Sequence, residues 1–294
     1  MLVVQTHAGR LGQTWHAPKT WSEATTLLAD LGPESAAAGG ATYLMWRAAQ
    51  GEPMPRHLVS LHRIVAGRQC DEGSLGALTT LRTLERDTRY GAQRALTMAA
   101  SATAGPAVRT VATLGGNLAS GFPQADLVPA LLALGADAQL SDGEAVPVER
   151  LLEQGIDRRL VTGVTHGLTQ DSGWSGASVK LARRGMDLSV GVAAVAVRVE
   201  QNEIQEARVA VGSLYERPQR LTAIEAALVG ADASEDTIEE VLEVIGFTGR
   251  QFQDDAESTG TYRARIARPL VRKALLVALR LGPNGEPERG DERL

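Results

Sequence analysis

Two double-glycine segments constrain this chain more than any other feature of its sequence. They read AGGAT at 38–42 and TLGGN at 113–117, and each follows a short apolar stretch. Because glycine permits positive φ and close backbone approach, free N–H groups in such a segment can reach a phosphate oxygen. Thr42 and Thr113 each offer a hydroxyl, and a helix predicted from about Thr42 to Gln50 would direct its positive end at the same anion. Either segment alone is typical of a tight turn, so an anion site requires both to converge.

The composition narrows the classes of function. The 294 residues carry 30 Lys+Arg against 35 Asp+Glu, a formal net charge of -5, which argues against binding to nucleic acid or a membrane surface. The single cysteine, Cys70, excludes an internal disulfide and a self-contained thiolate zinc or iron–sulfur site. The five histidines show no metal-ligand spacing, so no metal is expected. The N-terminal apolar run is too short for a signal peptide, and no stretch has the length of a membrane span; we expect a cytoplasmic protein.

Helix and strand signals alternate through the first half of the chain. Residues 18–33 predict a helix, opened by a capping box of Thr20 and Glu23 and closed by Gly32 and Pro33. The other predicted elements are strands at 36–38 and 57–61, helices at 81–86 and 92–100, an alternating strand from Val108 to Leu114, a helix that Asp126 can cap, and a hairpin around Asp142-Gly143. No G-x-G triplet occurs, so the Rossmann fingerprint is absent and a dinucleotide would need another kind of site.

In the second half of the chain the predicted elements come in a different order. Predicted strands at 178–184, 188–200 and 203–214 are followed by predicted helices at 219–229, 234–245 and 262–282. Strands followed by helices indicate a separate α+β domain. The polar stretch at 167–176 is the expected domain boundary, and residues 283–294 are expected to form a flexible tail.

The C-terminal helix carries a row of basic residues. They are Arg263, Arg265, Arg268, Arg272, Lys273 and Arg280. Such a row is usually a solvated face with local ion pairs. Arg268 and Arg272 share one face, which also suits contact with an acidic partner, so both interpretations stay open.

Several motifs occur together in a recognisable order. They are AGGAT at 38–42, TLGGN at 113–117 with Asp126 nine residues later, the run from Val108 to Ala136, KLARRGMDLSVGVAA at 180–194 and YRARIARPLVRKAL at 262–275. Together they resemble the flavin-binding medium subunit of the molybdenum hydroxylases, the family of carbon monoxide dehydrogenase and xanthine dehydrogenase. Two positions depart from the family pattern: Ala41 replaces a residue with a side-chain donor, and Ser178-Val179 stand where an aromatic often precedes the lysine.

The resemblance implies an α+β fold with two domains. The first is a two-lobed FAD-binding domain of the vanillyl-alcohol oxidase type, expected at 1–172 with lobes of about 1–56 and 57–172. The second is a smaller α+β domain of the carbon monoxide dehydrogenase flavoprotein type, expected at 177–282.

The resemblance also implies a set of cofactor-binding residues and no catalytic side chain. In the family the two glycine segments hold the FAD pyrophosphate, which assigns Ala38, Gly39, Gly40, Ala41, Thr42, Thr113, Leu114, Gly115, Gly116 and Asn117. Asp126 matches an aspartate that hydrogen-bonds the flavin's polar groups, and Lys180 matches a basic residue near the flavin. From the residues alone, Asp126 is equally a helix cap and Lys180 an exposed strand lysine. No residue is assigned to stack on the isoalloxazine.

By this resemblance, the chain is an electron-transfer subunit with FAD as its cofactor. It would receive electrons from an iron–sulfur small subunit, work beside a molybdopterin large subunit, and pass electrons through FAD to NAD⁺, a quinone or oxygen. Two alternatives remain open. One is a self-sufficient FAD oxidase of the vanillyl-alcohol oxidase group, and the other is a non-catalytic assembly protein that has lost its flavin.

Overall fold

The computed structural model of the chain describes most of its residues. They are 12–71, 73–87, 91–156, 159–168, 173–245, 247 and 251–279. The predicted boundary at 167–176 lies partly outside them, and the predicted tail at 283–294 lies wholly outside. Among the described residues, no helix is long and apolar enough to cross a membrane.

The described chain contains both helices and strands, as predicted. The helices are α1 Trp21–Leu31, α2 Thr42–Ala49, α3 Leu81–Glu85, α4 Arg94–Ala102, α5 Pro106–Arg109, α6 Leu114–Ala119, α7 Val128–Ala133, α8 Val148–Gln154, α9 Thr222–Leu228, α10 Glu235–Val244 and α11 Gly260–Leu279. The strands are β1 Thr14–His16, β2 Ser35–Ala38, β3 His57–Ser60, β4 Cys70–Asp71, β5 Ser74–Gly76, β6 Asp137–Leu140, β7 Ala145–Pro147, β8 Val161–Thr165, β9 Trp174–Ala182, β10 Ser189–Glu200, β11 Glu203–Gly212 and β12 Gln219–Arg220.

The contacts divide the chain into two compact units. The first comprises the residues up to Thr83 together with Gly105–Gly121 and Asp137–Thr165. The second comprises Leu84–Ala104, Phe122–Ala136 and the chain from His166 onward. The chain therefore passes between the units more than once, and the domain boundaries expected from the sequence stay a prediction.

The first unit contains a small parallel sheet of order β1-β3-β2. Helix α1 begins as predicted, because the Thr20 hydroxyl accepts a hydrogen bond from the Glu23 N–H at 3.1 Å. It ends at Gly32, whose φ of +64° suits glycine. Ala24 and Leu28 on its inner face are buried with Val59 of β3. This packing fixes the end of β2, from which the first glycine segment leaves.

The first unit also contains a five-stranded antiparallel sheet of order β4-β5-β8-β6-β7. Strands β6 and β7 form the hairpin predicted around Asp142-Gly143. Gly143 has φ +89°, and the Asp142 carboxylate accepts a hydrogen bond from the Glu144 N–H at 3.0 Å. Because residues of the turn itself stabilise it, the sequence alone predicts this hairpin.

The second unit is built on an antiparallel sheet of order β12-β11-β10-β9. Gln201 and Asn202, at φ +49° and +66°, make the tight turn between β10 and β11. The core includes Val195 and Val209 of the sheet and Leu275 of α11, all fully buried. The predicted order of strands followed by helices is confirmed here.

Three basic residues of α11 differ in their environment. Arg268 and Arg272 form ion pairs with Glu239 of α10, and Arg272 also pairs with Glu235. The structure therefore supports local ion pairing for these two residues. Arg263, which sequence placed in the same charged row, is instead fully buried.

Candidate functional site

The first glycine segment links β2 to α2. Gly39 and Gly40 leave the strand, and Ala41 adopts a left-handed conformation with φ +57° before α2 begins at Thr42. Within the part of the chain that the structure describes, the backbone N–H groups from Gly39 to Thr42 donate to no protein acceptor. Consecutive free amides at the start of an eight-residue helix form a suitable arrangement for an anion.

Ala41 has an unusual backbone for a residue with a Cβ, and this leads to a stability prediction. The left-handed conformation costs a non-glycine residue roughly 1–2 kcal/mol, while glycine adds about 0.5–1 kcal/mol of backbone entropy. We therefore expect Ala41→Gly to raise the free energy of unfolding by about 0.5–1 kcal/mol in urea titrations. Ala48→Gly, within α2, is the control and should lower it by about 0.8–1 kcal/mol. Equal losses in both variants would contradict the strain at Ala41.

The second glycine segment is not the strand and turn that the sequence predicted. Residues 106–109 form the short helix α5, and Gly115 and Gly116 lie inside α6 rather than in a positive-φ turn. The alternation of apolar and polar residues from Val108 to Leu114 predicted a strand with its apolar side chains buried. In the structure Val108 and Val111 are exposed and Arg109 is buried, so the strand prediction is wrong. A proline at the start of α5 favours a helix there.

Backbone hydrogen bonds anchor the second segment to the chain after β5. The Leu114 N–H donates to the Thr79 carbonyl at 2.9 Å, and the Gly115 N–H donates to the Ala77 carbonyl at 2.8 Å. Thr113 is the N-cap of α6, and its hydroxyl oxygen accepts a hydrogen bond from the Gly116 N–H at 3.1 Å. The amides of this segment are therefore already used, and the free amides of the site come from the first segment.

The two glycine segments lie against each other, as the anion-site hypothesis required. A Cβ built on Gly40 would be 1.8 Å from the Val111 carbonyl oxygen, and one built on Gly39 would be 2.8 Å from the Thr113 hydroxyl oxygen. Neither glycine has positive φ. They are needed because the two backbones approach too closely for side chains.

Gly115 and Gly116 differ in what surrounds them. A Cβ on Gly115 would be 2.6 Å from the Ala77 Cβ, so this glycine serves internal packing. A Cβ on Gly116 would have only the Thr113 hydroxyl oxygen within 4 Å, at 2.8 Å. Gly116 therefore leaves an open surface next to the free amides of the first segment. A Cβ on Gly116 would partly fill this surface, which is lined by N–H donors without a protein acceptor. Such a surface fits a cofactor pyrophosphate.

Asp126 and Lys180 form a buried ion pair in the second unit. The Lys180 Nζ lies 2.8 Å from the Asp126 Oδ2, and the side chains are 7% and 5% exposed. The helix that follows is capped at Leu127 without a side-chain hydrogen bond, so the alternative of Asp126 as a helix cap is wrong. The exposed-lysine interpretation of Lys180 is wrong as well.

The surroundings of this pair include residues that the sequence did not single out. The Lys180 ammonium also donates to the Ala102 carbonyl at 3.1 Å. Burial raises the pKa of Asp126; the Lys180 charge, and secondarily the hydroxyls of Ser189 and Thr103, oppose that rise. Ser189 in turn shares a 2.6 Å hydrogen bond with Ser213. Nothing in the sequence indicated that Ser189, on a predicted strand, would lie beside the Asp126 carboxylate.

Comparison with known proteins identifies the fold and family. A family model described as the FAD binding domain in molybdopterin dehydrogenase matches residues 9–163, and one described as the CO dehydrogenase flavoprotein C-terminal domain matches residues 177–278. The carbon monoxide dehydrogenase medium chain of Hydrogenophaga pseudoflava is 26% identical over 280 residues, covering 90% of this chain and 96% of that protein. The xanthine dehydrogenase FAD-binding subunit of Escherichia coli O157:H7 is 28% identical over 249 residues, covering 79% and 84%.

Solved structures show the same fold. A chain of the Cu,Mo-CO dehydrogenase superposes with a TM-score of 0.83 at 23% identity, covering 91% of this chain and 97% of that chain. A chain of quinoline 2-oxidoreductase from Pseudomonas putida 86 superposes with a TM-score of 0.80 at the same identity and coverage. The resemblance drawn from the motifs and the assignment of FAD as cofactor are confirmed. The chain belongs to the FAD-binding subunits of the molybdenum hydroxylases, the family of the FAD binding domain in molybdopterin dehydrogenase.

Proposed function

We propose that the two contacting glycine segments hold the FAD pyrophosphate and that this chain passes electrons through FAD to an external acceptor. The observation that carries the proposal is the row of free backbone amides from Gly39 to Thr42, placed against the second segment. A pyrophosphate there would supply the acceptors that these donors lack. Of the residues assigned from the sequence, Gly39 to Thr42, Gly116 and Asn117 are proposed to line this surface, whereas Ala38, Leu114 and Gly115 are buried and support it from within.

The protein's part in the reaction is to bind and orient the cofactor. FAD, when bound, supplies the electron-carrying chemistry. Gly39 to Thr42 donate to phosphate, while Thr113 holds α6 in place and keeps its hydroxyl beside Gly39. Asp126 and Lys180 are the proposed contacts for the flavin's polar groups. No side chain is needed as a general acid or base.

The proposed partners are an iron–sulfur small subunit and a molybdopterin large subunit. One cysteine in the whole sequence is too few for an iron–sulfur cluster, so electrons must enter from another chain. Among the described residues, no group of three or more His, Cys, Asp or Glu is placed to hold a metal ion. NAD⁺, a quinone or oxygen is the proposed acceptor, and the cytoplasm is the proposed location. Affinity purification at low salt should recover two further polypeptides; recovery of the FAD-loaded chain alone would contradict this assembly.

The pyrophosphate assignment is tested by FAD titration of variants. We expect Gly116→Val to abolish or greatly weaken FAD binding, because its branched side chain would occupy the open surface beside the free amides. The Thr113 hydroxyl oxygen accepts the Gly116 N–H, and its proton is proposed to be donated to the phosphate. Thr113→Val should therefore cost about 1–3 kcal/mol of binding, the range for hydrogen bonds to charged groups. Flavin fluorescence measures both affinities, and circular dichroism verifies folding.

Gly32→Val is the matched control. Gly32 has φ +64° and open space around it, so a valine there strains the end of α1 without touching either glycine segment. We expect lower stability but an unchanged FAD affinity of the folded fraction. If Gly116→Val binds FAD like the unsubstituted protein, the glycine segments are structural and the assignment is wrong.

We also propose the domain division expected from the sequence, with domains at 1–172 and 177–282. The two matched family models, at 9–163 and 177–278, lie within these limits. If the division is correct, limited proteolysis of the full chain should cut first between residues 167 and 176. First cuts elsewhere in the chain would contradict the division.

A further inference from the structure

Two histidines of the small parallel sheet lie next to each other, although they are 41 positions apart in the chain. The Nε2 of His16 in β1 is 3.3 Å from the Nδ1 of His57 in β3. The ring centroids are 5.3 Å apart, and the ring planes are tilted by 52°. The contact therefore runs through one nitrogen atom of each ring rather than through the ring faces.

The register of the sheet brings these two rings together. In the parallel pairing of β1 with β3, His16 lies opposite Val59. Because alternate residues of a strand point to the same face, Val59 and His57 share a face, and His16 is the diagonal neighbour of His57 on that face. Strand β3 is the central strand of the sheet, and Val59 is fully buried with residues of α1. The packed backbone of β3 therefore fixes the position from which the His57 ring extends.

The distance between the two nitrogen atoms fits a shared metal ion better than a hydrogen bond. Hydrogen bonds donated by N–H groups are usually about 2.7–3.2 Å long, so a separation of 3.3 Å is long for one. A tetrahedral Zn²⁺ holds each histidine nitrogen at about 2.0–2.1 Å, which places two such nitrogens roughly 3.3–3.4 Å apart. Neither ring needs to move far to accept this ion. Neutral imidazole is also the form of histidine that binds metals.

We propose that His16 and His57 form a two-histidine site for Zn²⁺ that joins the edge strand β1 to the central strand β3. The ion would bind His16 Nε2 and His57 Nδ1, and water would complete its tetrahedral coordination. The pair is only partly buried, so the ion can arrive from solvent. Both histidines belong to the first unit, and neither lies in a glycine segment, so the site is separate from the proposed FAD site.

The strength of the site follows from its number of ligands. Among the described residues, no third His, Cys, Asp or Glu joins this pair in a group that could hold a metal. Two protein ligands are half of the set in a closed structural zinc site. We therefore expect a dissociation constant on the order of 10 µM, far weaker than that of a four-ligand site.

The first experiment is a calorimetric zinc titration of the full-length protein near neutral pH. We expect His16→Gln and His57→Gln each to weaken zinc binding at least about tenfold, because only one histidine ligand remains. If either variant binds zinc as tightly as the unsubstituted protein, the ion lies elsewhere and the proposal is overturned.

His62→Gln is the matched control. His62 follows the same strand, is exposed, and has its Nδ1 2.8 Å from the Ser60 Oγ rather than near another histidine. We expect this variant to bind zinc like the unsubstituted protein. A loss of affinity as large as that of His16→Gln would place the ion at His62 and would also overturn the proposal.

Nuclear magnetic resonance of the histidine rings tests the site without any substitution, so its result does not depend on the folding of a variant. Zinc should shift the ring signals of His16 and His57 and leave those of His62 in place. Mg²⁺, which prefers oxygen ligands, should shift none of them. If zinc leaves the His16 and His57 signals unchanged, or Mg²⁺ shifts them equally, the contact is a hydrogen bond only and the proposal is wrong.

Thermal unfolding tests whether the ion joins the two strands. At about ten times its dissociation constant, zinc should raise the Tm of the unsubstituted protein by about 3 °C, because it binds the folded state. The Tm of His16→Gln should not change with zinc. If zinc raises the Tm of both proteins equally, its effect does not come from this pair, which contradicts the proposed link between β1 and β3.

Discussion

Gly40→Ala is expected to disrupt the contact between the two glycine segments and to abolish FAD binding. The new Cβ would lie 1.8 Å from the Val111 carbonyl oxygen and 2.5 Å from its carbon, and both atoms belong to the backbone. No rotamer change can relieve such a contact, so one segment must move away. We expect a loss of at least about 3 kcal/mol in stability, the upper end of ordinary overpacking. FAD affinity should fall by about 100-fold or more, because the loss of two hydrogen bonds to phosphate is worth about 3 kcal/mol.

The measurement is urea unfolding followed by tryptophan fluorescence, since Trp15, Trp21 and Trp46 all lie in the first unit. Gly185→Ala is the control: a Cβ there meets nothing within 4 Å, and φ is not positive. It should change stability by less than about 0.5 kcal/mol, as surface substitutions usually do. A Gly40→Ala variant that unfolds and binds FAD like the Gly185→Ala protein would show that the segments are not packed as described.

Local signals explain which elements were predictable from the sequence. Helix α1 is bounded by Thr20 and Gly32, and the β6–β7 hairpin contains its own Asp-Gly turn. These residues act within a few positions of themselves, so the sequence reveals them. Around Val108 to Leu114 the helix signals, Pro106 at the start of α5 and the Thr113 cap of α6, stand at the edges of an alternating pattern, and the pairing partner Thr80 lies about thirty residues earlier. A tertiary contact decides the conformation of that stretch, and alternation alone could not.

The same distinction applies to the candidate site. The motifs singled out the glycine segments, Asp126 and Lys180, but not the contacts that these residues make. Gly40 is required by the Val111 carbonyl, and Asp126 is bound to a lysine 54 positions away. Likewise, the positive φ expected at glycine belongs to Ala41. Such features depend on distances between separate segments, which a single sequence does not state.

Arg263 is the clearest case of a residue whose environment differs from the sequence expectation. Its guanidinium is fully buried and forms two hydrogen bonds of 2.9 Å with the Asp255 carboxylate. It also donates to the backbone carbonyls of Val190, Gln253 and Ser258. The guanidinium thus joins β10, the loop before α11 and α11 itself. Its multiple donors in a fixed plane suit this role, which a lysine could not fill.

We expect Arg263→Met to lower the free energy of unfolding of the second unit by about 3 kcal/mol, the low end for a broken buried ion pair, because it removes a fully buried guanidinium and leaves the Asp255 carboxylate, which is 19% exposed, without its counter-ion. Three carbonyl oxygens would also lose a donor. Arg183→Met is the matched control, since Arg183 is 61% exposed and pairs with Glu257 in the same unit. Loss of an exposed pair should cost less than about 1 kcal/mol. Urea unfolding followed by circular dichroism measures both variants. Equal and small losses would mean that the buried guanidinium contributes no more than a surface ion pair.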